Sequence, residues 1–364
     1  MKILIQHHNS PNQISGVVTY VNNIKNALQR KKVKVRVISS KIDSVKKWID
    51  NMRWADIVHM NSGRTTFAVL CRLLGKKIVV KYNYPFFVST IFESYKKTSL
   101  AKRVYKELLS YLPKSNYSLK WKLYSFVLTA ELIGRTATAV LASKHLSCSR
   151  YTSKSLSFPF NVPVAYYPIQ KTRINKPKIL KELKKPYTFV FVGRLDYFKG
   201  ADILLKSTKI LKNRNFKVLI IGDGKDMDKL KKQIIKLGIA KKIEFLGRLP
   251  NKEVLKHVKH SLAIVVPSRW NEPAGYVSLE ASSVQTCSII SNMGGLPEVG
   301  GPSALVFKNE DARGLAKYMK YCLKNPSEAI KRGRQAKEYV TKMFSPEKAA
   351  EQLIGVCREV INKK

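Results

Sequence analysis

Two glutamates eight positions apart, Glu272 and Glu280, are the side chains of this sequence best suited to chemistry on a polar ligand. An apolar run, 262–266, leads into them through a Pro-Ser turn, and a helical pattern follows. This pattern places Glu272 in a turn at the carboxyl end of a strand and Glu280 about two turns into a helix. Ligands of open α/β sheets bind at that edge, where a helix N-terminus offers amides to an anion. Each carboxylate can hold a pair of sugar hydroxyls.

A second segment, 191–200, supplies a pair of cations. It follows a predicted strand and precedes a helix, and Gly193 allows the backbone to approach a ligand closely. Arg194 and Lys199, five positions apart across the turn, can converge on one diphosphate. Preorganised cations of this kind can stabilise the negative charge that develops on such a group in a reaction. The alternative is a solvated surface turn in a lysine-rich protein.

These motifs together carry a family resemblance. The E-x7-E spacing with Pro-Ala-Gly after the first glutamate, the downstream SNMGGLPEV, and G-R-x4-K-G resemble the retaining family 4 glycosyltransferases of the GT-B fold. The resemblance is dense from 189 to 305 and looser from 1 to 84, and nothing specific is recognised between 86 and 138. It implies a group 1 glycosyl transferase that moves a sugar from a UDP- or GDP-sugar to a hydroxyl, without a further cofactor.

The resemblance also implies which residues form the site. Arg194 and Lys199 would hold the diphosphate, Glu272 the donor sugar and Glu280 the ribose hydroxyls; the first three are the catalytic candidates. The implied donor contacts, with Glu280, are Gly16, Gly193, Gly222, Arg248, Pro273, Ala274, Gly275, Tyr276 and Val277. Asp226-Met227-Asp228 has the form of a DxD metal motif, but it opens a helix, where aspartate is favoured by the helix dipole. We therefore expect no metal ion.

Three further candidates lie in the first half of the chain. The family's first loop usually reads Gly-Gly, and here the pair is Ser15-Gly16. Asp56–Asn61 resembles the family's D-x-V-H-x-H strand, so His59 is a candidate sugar or acceptor contact, although a histidine there is more often structural. Asn83 stands where many relatives have a histidine; it can hydrogen-bond a sugar hydroxyl but cannot relay a proton. This suits the family's proposed route, in which the leaving phosphate takes the acceptor's proton.

Strands and helices alternate along the chain in the order that such a site needs. Short apolar strands alternating with amphipathic helices predict parallel sheets covered on both faces. The predicted strands are 2–6, 34–39, 57–60, 77–82, 139–142, 188–192, 217–221, 242–246, 262–266 and 287–291; the clearest helices are 18–30, 201–212 and 226–237. We expect an α/β protein of the GT-B type, with two doubly wound Rossmann-like domains facing across a cleft.

The domain boundaries follow from composition. A Lys- and Pro-rich segment without an apolar period, 170–186, is the predicted linker. It separates an acceptor-side domain, 1–169, from a nucleotide-sugar domain, 187–345. The final segment, 346–364, is predicted to be a helix that crosses back to the first domain, as the resemblance implies.

The charge of the chain is its second large signal. The sequence holds 68 Lys and Arg against 24 Asp and Glu, a formal net charge of +44. Up to position 170 there are 28 basic and six acidic residues, and after it 40 and 18. Such an excess attracts a polyanion, either an anionic membrane surface or a nucleic acid. Alternatively, the lysines reflect codon bias and only keep the protein soluble.

The segment 91–126 sharpens this question. It interleaves eight basic residues with eight aromatic ones, which is typical of an interfacial membrane contact. It could also be a helical insertion with inward aromatics, or a stacking surface for single-stranded nucleic acid. We prefer the membrane interpretation, with a glycolipid, lipid-linked saccharide, lipopolysaccharide or other cell-surface polysaccharide as acceptor and no nucleic acid partner. The first strand is too short for a signal peptide. We therefore expect a cytoplasmic protein, peripheral on the inner face of the cytoplasmic membrane.

Two other functions remain as alternatives. A nucleotide-sugar epimerase or hydrolase would keep the fold, but such relatives lack the Arg/Lys pair combined with E-x7-E. A basic nucleic-acid-binding protein is suggested by the charge alone. The five cysteines form no CxxC pair and no zinc spacing, which favours reduced thiols in a cytoplasm.

Overall fold

The computed structural model describes residues 1–10, 16–61, 63–84, 100–112, 119–156, 158, 160–169 and 177–363. The chain divides into two compact units, Met1–Pro168 with Pro346–Lys364, and Ile169–Ser345. Each unit is built around one parallel sheet.

The first unit holds five parallel strands in the order β2-β1-β3-β4-β5. Buried side chains of α2 and α3, such as Trp48 and Phe67, pack on Leu4 and Val58 at one face of this sheet. Tyr20 of α1 contacts His59 at the opposite face. The elements are β1 (Lys2–His7), α1 (Gly16–Arg30), β2 (Lys34–Ser39), α2 (Val45–Trp54), β3 (Ile57–Met60), α3 (Thr65–Leu73), β4 (Lys77–Tyr82), α4 (Leu100–Tyr111), α5 (Leu119–Leu141), β5 (Lys144–Ser147) and α6 (Arg150–Leu156).

The second unit holds six parallel strands in the order β11-β10-β9-β6-β7-β8. One apolar cluster joins the sheet to α7, α8 and α12, and a separate cluster joins it to α9 and α10. The elements are β6 (Tyr187–Val192), α7 (Ala201–Ile210), β7 (Phe216–Ile221), α8 (Met227–Leu237), β8 (Ile243–Gly247), α9 (Asn251–Lys259), β9 (Ala263–Val266), α10 (Tyr276–Ser283), β10 (Cys287–Ser291), α11 (Leu296–Gly300), β11 (Leu305–Phe307), α12 (Ala312–Lys324) and α13 (Pro326–Met343).

The last helix, α14 (Pro346–Asn362), belongs to the first unit. Lys31 and Lys144 of that unit form ion pairs with Glu351 and Glu359 of α14, at 2.6 and 2.7 Å. Buried Leu353 lies on the same helix, which therefore contributes both apolar and charged contacts.

The described part of the predicted linker, 177–186, lies in the second unit rather than between the units. The Lys178 side chain is buried there and donates to the carbonyl of Ser261 at 2.7 Å and to Oγ1 of Thr286 at 3.2 Å. A short 3-10 helix follows at Leu180–Glu182. Lys178, one of the lysines on which the linker prediction rested, therefore anchors this segment in the second unit.

The predicted alternation of strands and helices is confirmed, with one wrong strand. Residues 139–142 were predicted as a strand, but α5 continues to Leu141 and the strand follows at Lys144–Ser147. The short apolar run is the last turn of an amphipathic helix, because Ala139 lies seven residues after Leu132 and packs in the same apolar cluster. The three-residue strand β11 gave too short a pattern to be predicted. All five cysteines are buried and unpaired by disulfides, as expected.

Candidate active site

Two glycines from separate motifs meet at the carboxyl edge of the second sheet. Gly193 follows β6 and Gly222 follows β7, and the amide of Gly193 donates to the carbonyl of Ile221 at 3.0 Å. A Cβ on Gly222 would lie 1.9 Å from the carbonyl oxygen of Gly193, and Gly222 has a φ of 139°. Only glycine allows these two turns to pack against each other.

The loop after Gly193 is fixed by one aspartate. Oδ1 of Asp196 accepts from the amide of Lys199 at 3.2 Å and begins the short 3-10 helix Tyr197–Lys199. Oδ2 of Asp196 lies 3.3 Å from Nη2 of Arg194. The Arg194 side chain is 74% exposed, so its guanidinium remains open to a ligand in solvent. The loop thus holds its own conformation while presenting one cation.

The second cation, Lys199, pairs directly with Glu272. Its Nζ contacts Oε1 of Glu272, and the hydroxyl of Ser268 lies 3.0 Å from the same oxygen. Both side chains of the ion pair are mostly shielded from solvent. Two catalytic candidates that are 73 residues apart in sequence therefore share one place in the fold.

Backbone contacts lock the loop after β9 to the 193–200 loop. The carbonyl of Phe198 accepts from the amides of Arg269 and Trp270, at 2.8 and 3.2 Å. Gly200 has a φ of 71°, and a Cβ there would lie 1.9 Å from the carbonyl oxygen of Pro267. The Lys199–Glu272 pair therefore sits on a rigid backbone junction.

Arg269 strengthens this junction, although no pattern in the sequence indicates its role. Its Nη1 and Nη2 donate to the two carboxylate oxygens of Asp202 at 2.7 and 2.8 Å, and its Nε donates to Glu310 at 2.8 Å. Burial raises the pKa of Asp202, but the hydrogen bonds and positive charges of Arg269 and Lys206 together outweigh it, so the net pKa is lowered. An arginine following a strand, with an aspartate in the first turn of a helix, is too weak a pattern to predict this pair.

The turn at residues 291–295, with the sequence SNMGG, also contacts the backbone of Glu272. Gly295 donates its amide to the carbonyl of Glu272 at 2.6 Å. Gly294 has a φ of 60°, and a Cβ there would lie 2.4 Å from that carbonyl oxygen. A Cβ on Gly275, whose φ is 54°, would lie 2.5 Å from Cδ2 of Leu296. These glycines permit the two loops to touch.

The N-terminus of α10 forms the next part of the site. Pro273 and Ala274 are buried just before it, and Gly275 is the N-cap residue without a capping side chain. The helix begins at Tyr276 and Val277, so its first amides lie beside Glu272 in the chain. This is the position that suits a polar or anionic group of a ligand.

Glu280 lies one turn into α10 rather than the predicted two, because the helix begins only at Tyr276, and it is held by a residue that no sequence pattern indicates. Nδ2 of Asn251 donates to Oε1 of Glu280 at 2.8 Å. Burial raises the pKa of Glu280, while this hydrogen bond lowers it to a smaller extent. Arg248, another predicted contact, is exposed just after β8.

The part of the chain that the structure describes contains no group of three or more His, Cys, Asp or Glu side chains that could hold a metal ion. Asp226, the first aspartate of the DxD-like motif, precedes α8, and its side chain makes no capping hydrogen bond. Absence of a metal remains a prediction.

In the first unit, the candidate side chains are buried in a polar cluster. Nε2 of His59 lies 2.9 Å from the hydroxyl of Tyr20, and Nδ1 lies 3.3 Å from the carbonyl of Val79. Burial, with a smaller effect of Lys81, lowers the pKa of His59 to about 3. His59 is therefore neutral at ordinary pH and engaged at both nitrogens.

Asn83 is engaged in the same way. Its Nδ2 donates to the carbonyl of Asn61 at 3.1 Å, and its Oδ1 accepts from the hydroxyl of Tyr167 at 2.8 Å. Gly16, by contrast, is exposed as the first residue of α1. Ser15 lies outside the described residues. Of the first-unit candidates that are described, only Gly16 is exposed.

Comparison with known proteins shows which family the second unit is similar to. Residues 172–343 match the family model of the group 1 glycosyl transferases. The matched region includes all second-unit candidates, from Gly193 to Glu280. It does not include the candidates of the first unit.

Two curated relatives match a similar region. The glycogen synthase of Mycobacterium tuberculosis is 28% identical over 207 residues, which cover 55% of this chain and 50% of that protein. The D-inositol 3-phosphate glycosyltransferase of Corynebacterium glutamicum is 30% identical over 181 residues, covering 47% and 43%. The chain thus spans about half the length of the curated relatives it matches.

A solved structure matches over the whole chain. HepE of Anabaena in complex with UDP-glucose superposes with a TM-score of 0.72 at 15% identity, covering 99% of this chain and 100% of that one. At this identity the likeness concerns the fold alone. With the two parallel sheets, it shows that the chain has the GT-B fold, as predicted from the sequence.

Proposed function

We propose that this protein is a retaining, metal-independent glycosyltransferase that moves a sugar from a nucleotide-diphosphate sugar to an acceptor hydroxyl. The observation that carries the proposal is the Lys199–Glu272 pair, held by two interlocked loops at the carboxyl edge of the second sheet. The match of 172–343 to the group 1 glycosyl transferases supports it. HepE was solved with UDP-glucose, so we propose a UDP-sugar as the first donor to test.

In the proposed reaction, each charged residue has one role. Arg194 and Lys199 stabilise the diphosphate as its bond to the sugar's anomeric carbon breaks. The acceptor oxygen forms its bond on the same face of the sugar, and its proton passes to the leaving phosphate. Glu272 orients the sugar hydroxyls, and Glu280 orients the ribose.

Glycine turns allow the backbone to approach the donor. Gly193, Gly222 and Gly275 each lie after a strand or before a helix at this edge. Arg248 and the amides of Tyr276 and Val277 complete the proposed donor contacts in the second unit. Ser15 and Gly16 remain proposed contacts of the first unit. His59 and Asn83, predicted as further contacts, are buried and hydrogen-bonded to neighbouring protein atoms, so their proposed role is to position the residues around them rather than to relay a proton.

The acceptor that we propose is a saccharide on an anionic carrier, such as a glycolipid, a lipid-linked saccharide or a cell-surface polysaccharide. The net charge of +44, with only six acidic residues in the first 170, supports an anionic partner. None of the described helices combines the length and apolar content needed to cross a membrane. As part of the proposal, the protein acts peripherally at the cytoplasmic face of the membrane.

A donor screen tests the central claim. The purified protein is incubated with UDP-, GDP- and ADP-sugars, and release of the nucleoside diphosphate is followed with and without a membrane lipid extract. We expect release from one class of donor, accelerated by the extract, with the sugar recovered on a lipid or glycan. Folded protein that releases no nucleoside diphosphate would rule the proposal out. Release that no acceptor accelerates would instead indicate a hydrolase.

A further inference from the structure

One side of α5 is apolar and open to solvent. Phe126, Ile133 and Val140 are 72%, 57% and 75% exposed, and they lie seven residues apart. With alanines at the intervening positions they form one continuous helix face, since residues four and seven apart lie on the same side of a helix. The five positions are Phe126, Ala130, Ile133, Ala137 and Val140.

The other sides of α5 hold the helix in the first unit. Leu132 is fully buried and packs in a cluster with Tyr111 of α4. The hydroxyl of Thr65, at the start of α3, donates to the carbonyl of Gly134 at 2.8 Å. The contacts of Leu132 and Gly134 therefore hold α5 on its unit from the sides away from the exposed face.

The two helices that pack against α5 also carry exposed apolar side chains. Tyr105 and Leu109 of α4 are exposed one turn apart, and Leu112 follows them. Val69 and Leu73 of α3 are also exposed. Ten of the twenty exposed large hydrophobic residues of the described chain lie between residues 69 and 140, so this region is enriched in them. We call α3, α4 and α5 with their exposed apolar side chains the helical face.

The charge of the protein distinguishes between the two obvious occupants of such a face. A second copy would bring together two chains of +44 each, which repel one another. An anionic lipid surface would be attracted instead, and more strongly for each basic residue near it. Lys102 and Lys106 flank the apolar positions of α4, and Glu131 on α5 lies 3.7 Å from Arg135.

We infer that the helical face is a membrane-docking surface, which lies in the head-group region of a bilayer containing anionic lipids. Apolar side chains enter the interface while the basic rim contacts the head groups, as in other interfacial helices. Docking would bring the enzyme to a lipid-carried acceptor. This purpose rests on the proposed function, whereas membrane binding itself does not.

Vesicle binding tests the inference with the full chain. The protein is sedimented with phosphatidylcholine vesicles that either lack or contain phosphatidylglycerol. We expect binding to the anionic vesicles, weakened by salt. The triple variant Phe126→Ser, Ile133→Ser, Val140→Ser should reduce the partition coefficient by about tenfold or more, because apolar insertion is lost. These side chains are exposed, so circular dichroism should show an unchanged fold.

A matched variant controls for general loss of hydrophobicity. Ile179, Ile210 and Ile235 are exposed isoleucines of the second unit, and replacing all three by serine should leave vesicle binding within about twofold of the original. An equal loss in both triple variants would overturn the inference, as would full binding by the first. A dimer in sedimentation velocity that the first triple variant abolishes would assign the face to a second copy.

The outcome is separable from that of the proposed function. The first triple variant should release nucleoside diphosphate from a soluble donor at the original rate, since none of its residues belongs to the donor site. Vesicle binding without any donor turnover would leave the docking surface standing and remove the glycosyltransferase. Turnover without vesicle binding would do the reverse.

Discussion

The carboxyl edges of the two sheets use polar residues in opposite ways. In the second unit, Arg194 is exposed and the Lys199–Glu272 pair is partly accessible, while backbone contacts between loops supply the rigidity. In the first unit, His59 and Asn83 are buried and form hydrogen bonds with neighbouring protein atoms. The second edge therefore leaves charged side chains accessible to a ligand. At the first edge, the polar side chains are part of the packed interior.

Two buried lysines show a second difference between the units. Lys178 in the second unit donates to Ser261 and Thr286. Among the described residues, Nζ of Lys81 in the first unit has no hydrogen-bond partner, and it lies 3.5 Å from the ring centroid of Tyr20. Burial lowers the pKa of each lysine to about 7. Only Lys178 is compensated by directed hydrogen bonds.

The largest expected effect concerns the Lys199–Glu272 ion pair of the second edge. Replacing Lys199 or Glu272 by alanine should reduce donor turnover by roughly 100- to 1,000-fold, because a preorganised charge at the reacting group is lost. The measurement is release of nucleoside diphosphate by each variant, with circular dichroism and thermal unfolding as checks of the fold.

Lys212→Ala is the matched control, since it removes an exposed lysine just after α7. Its turnover should equal that of the unchanged protein. If Lys199→Ala retained full turnover while folded, the site would lie elsewhere and the contrast between the two edges would lose its functional meaning.

The sequence predicted much of this edge but not how its parts are joined. Strand–turn–helix patterns and motif spacing placed Arg194, Lys199 and Glu272 at the ends of parallel strands. The Arg269–Asp202 pair and the Asn251–Glu280 hydrogen bond could not be predicted, because they depend on tertiary packing between loops. No local pattern in the sequence reports such contacts.

Prediction from sequence was weaker for the first unit for a related reason. The motif containing His59 suggested a site, but whether a histidine at a strand end faces a ligand or a helix depends on what packs over it, here Tyr20 of α1. Similarly, the Lys- and Pro-rich stretch around Lys178 suggested a linker. Its anchoring depends on the hydrogen bond from Lys178 to the carbonyl of Ser261, which is distant in sequence.

A glycine substitution at the second edge should have the next largest effect. Gly222→Ala forces a Cβ to within 1.9 Å of the carbonyl oxygen of Gly193 at a φ that alanine rarely adopts. We expect a loss of about 3 kcal/mol or more in the free energy of unfolding. Urea denaturation measures it, and a loss below about 1 kcal/mol would show that the junction of the two turns is not rigid.

A smaller effect is expected from the uncompensated lysine of the first unit. Because burial lowers the pKa of Lys81 to about 7, the unfolded chain binds more protons than the folded one between about pH 7 and pH 10. Stability therefore gains from this lysine as pH rises through that window, by at most about 1.4 kcal/mol per pH unit. Below pH 7 its penalty is constant.

Lys81→Met isolates this contribution. Burial raises the pKa of Cys71 to about 12, so that thiol works in the opposite direction in both proteins, and only their difference is informative. The variant should be about 1–2 kcal/mol more stable than the unchanged protein at pH 7, and this advantage should vanish by about pH 9. Lys178→Met leaves the carbonyl of Ser261 without this hydrogen-bond donor. This variant should therefore gain less stability at pH 7 than Lys81→Met, or lose stability. Equal gains would contradict the contrast between the two lysines.

The smallest structural effect belongs to Gly16. No heavy atom lies within 4 Å of a Cβ built there, and its φ does not require glycine. Gly16→Ala should therefore change the free energy of unfolding by less than about 1 kcal/mol. If its backbone contacts the donor, as we propose, the KM for the donor should nevertheless rise, because the added methyl group occupies the space of approach. An unchanged KM would remove Gly16 from the site, and the donor contacts would then belong to the second edge without it.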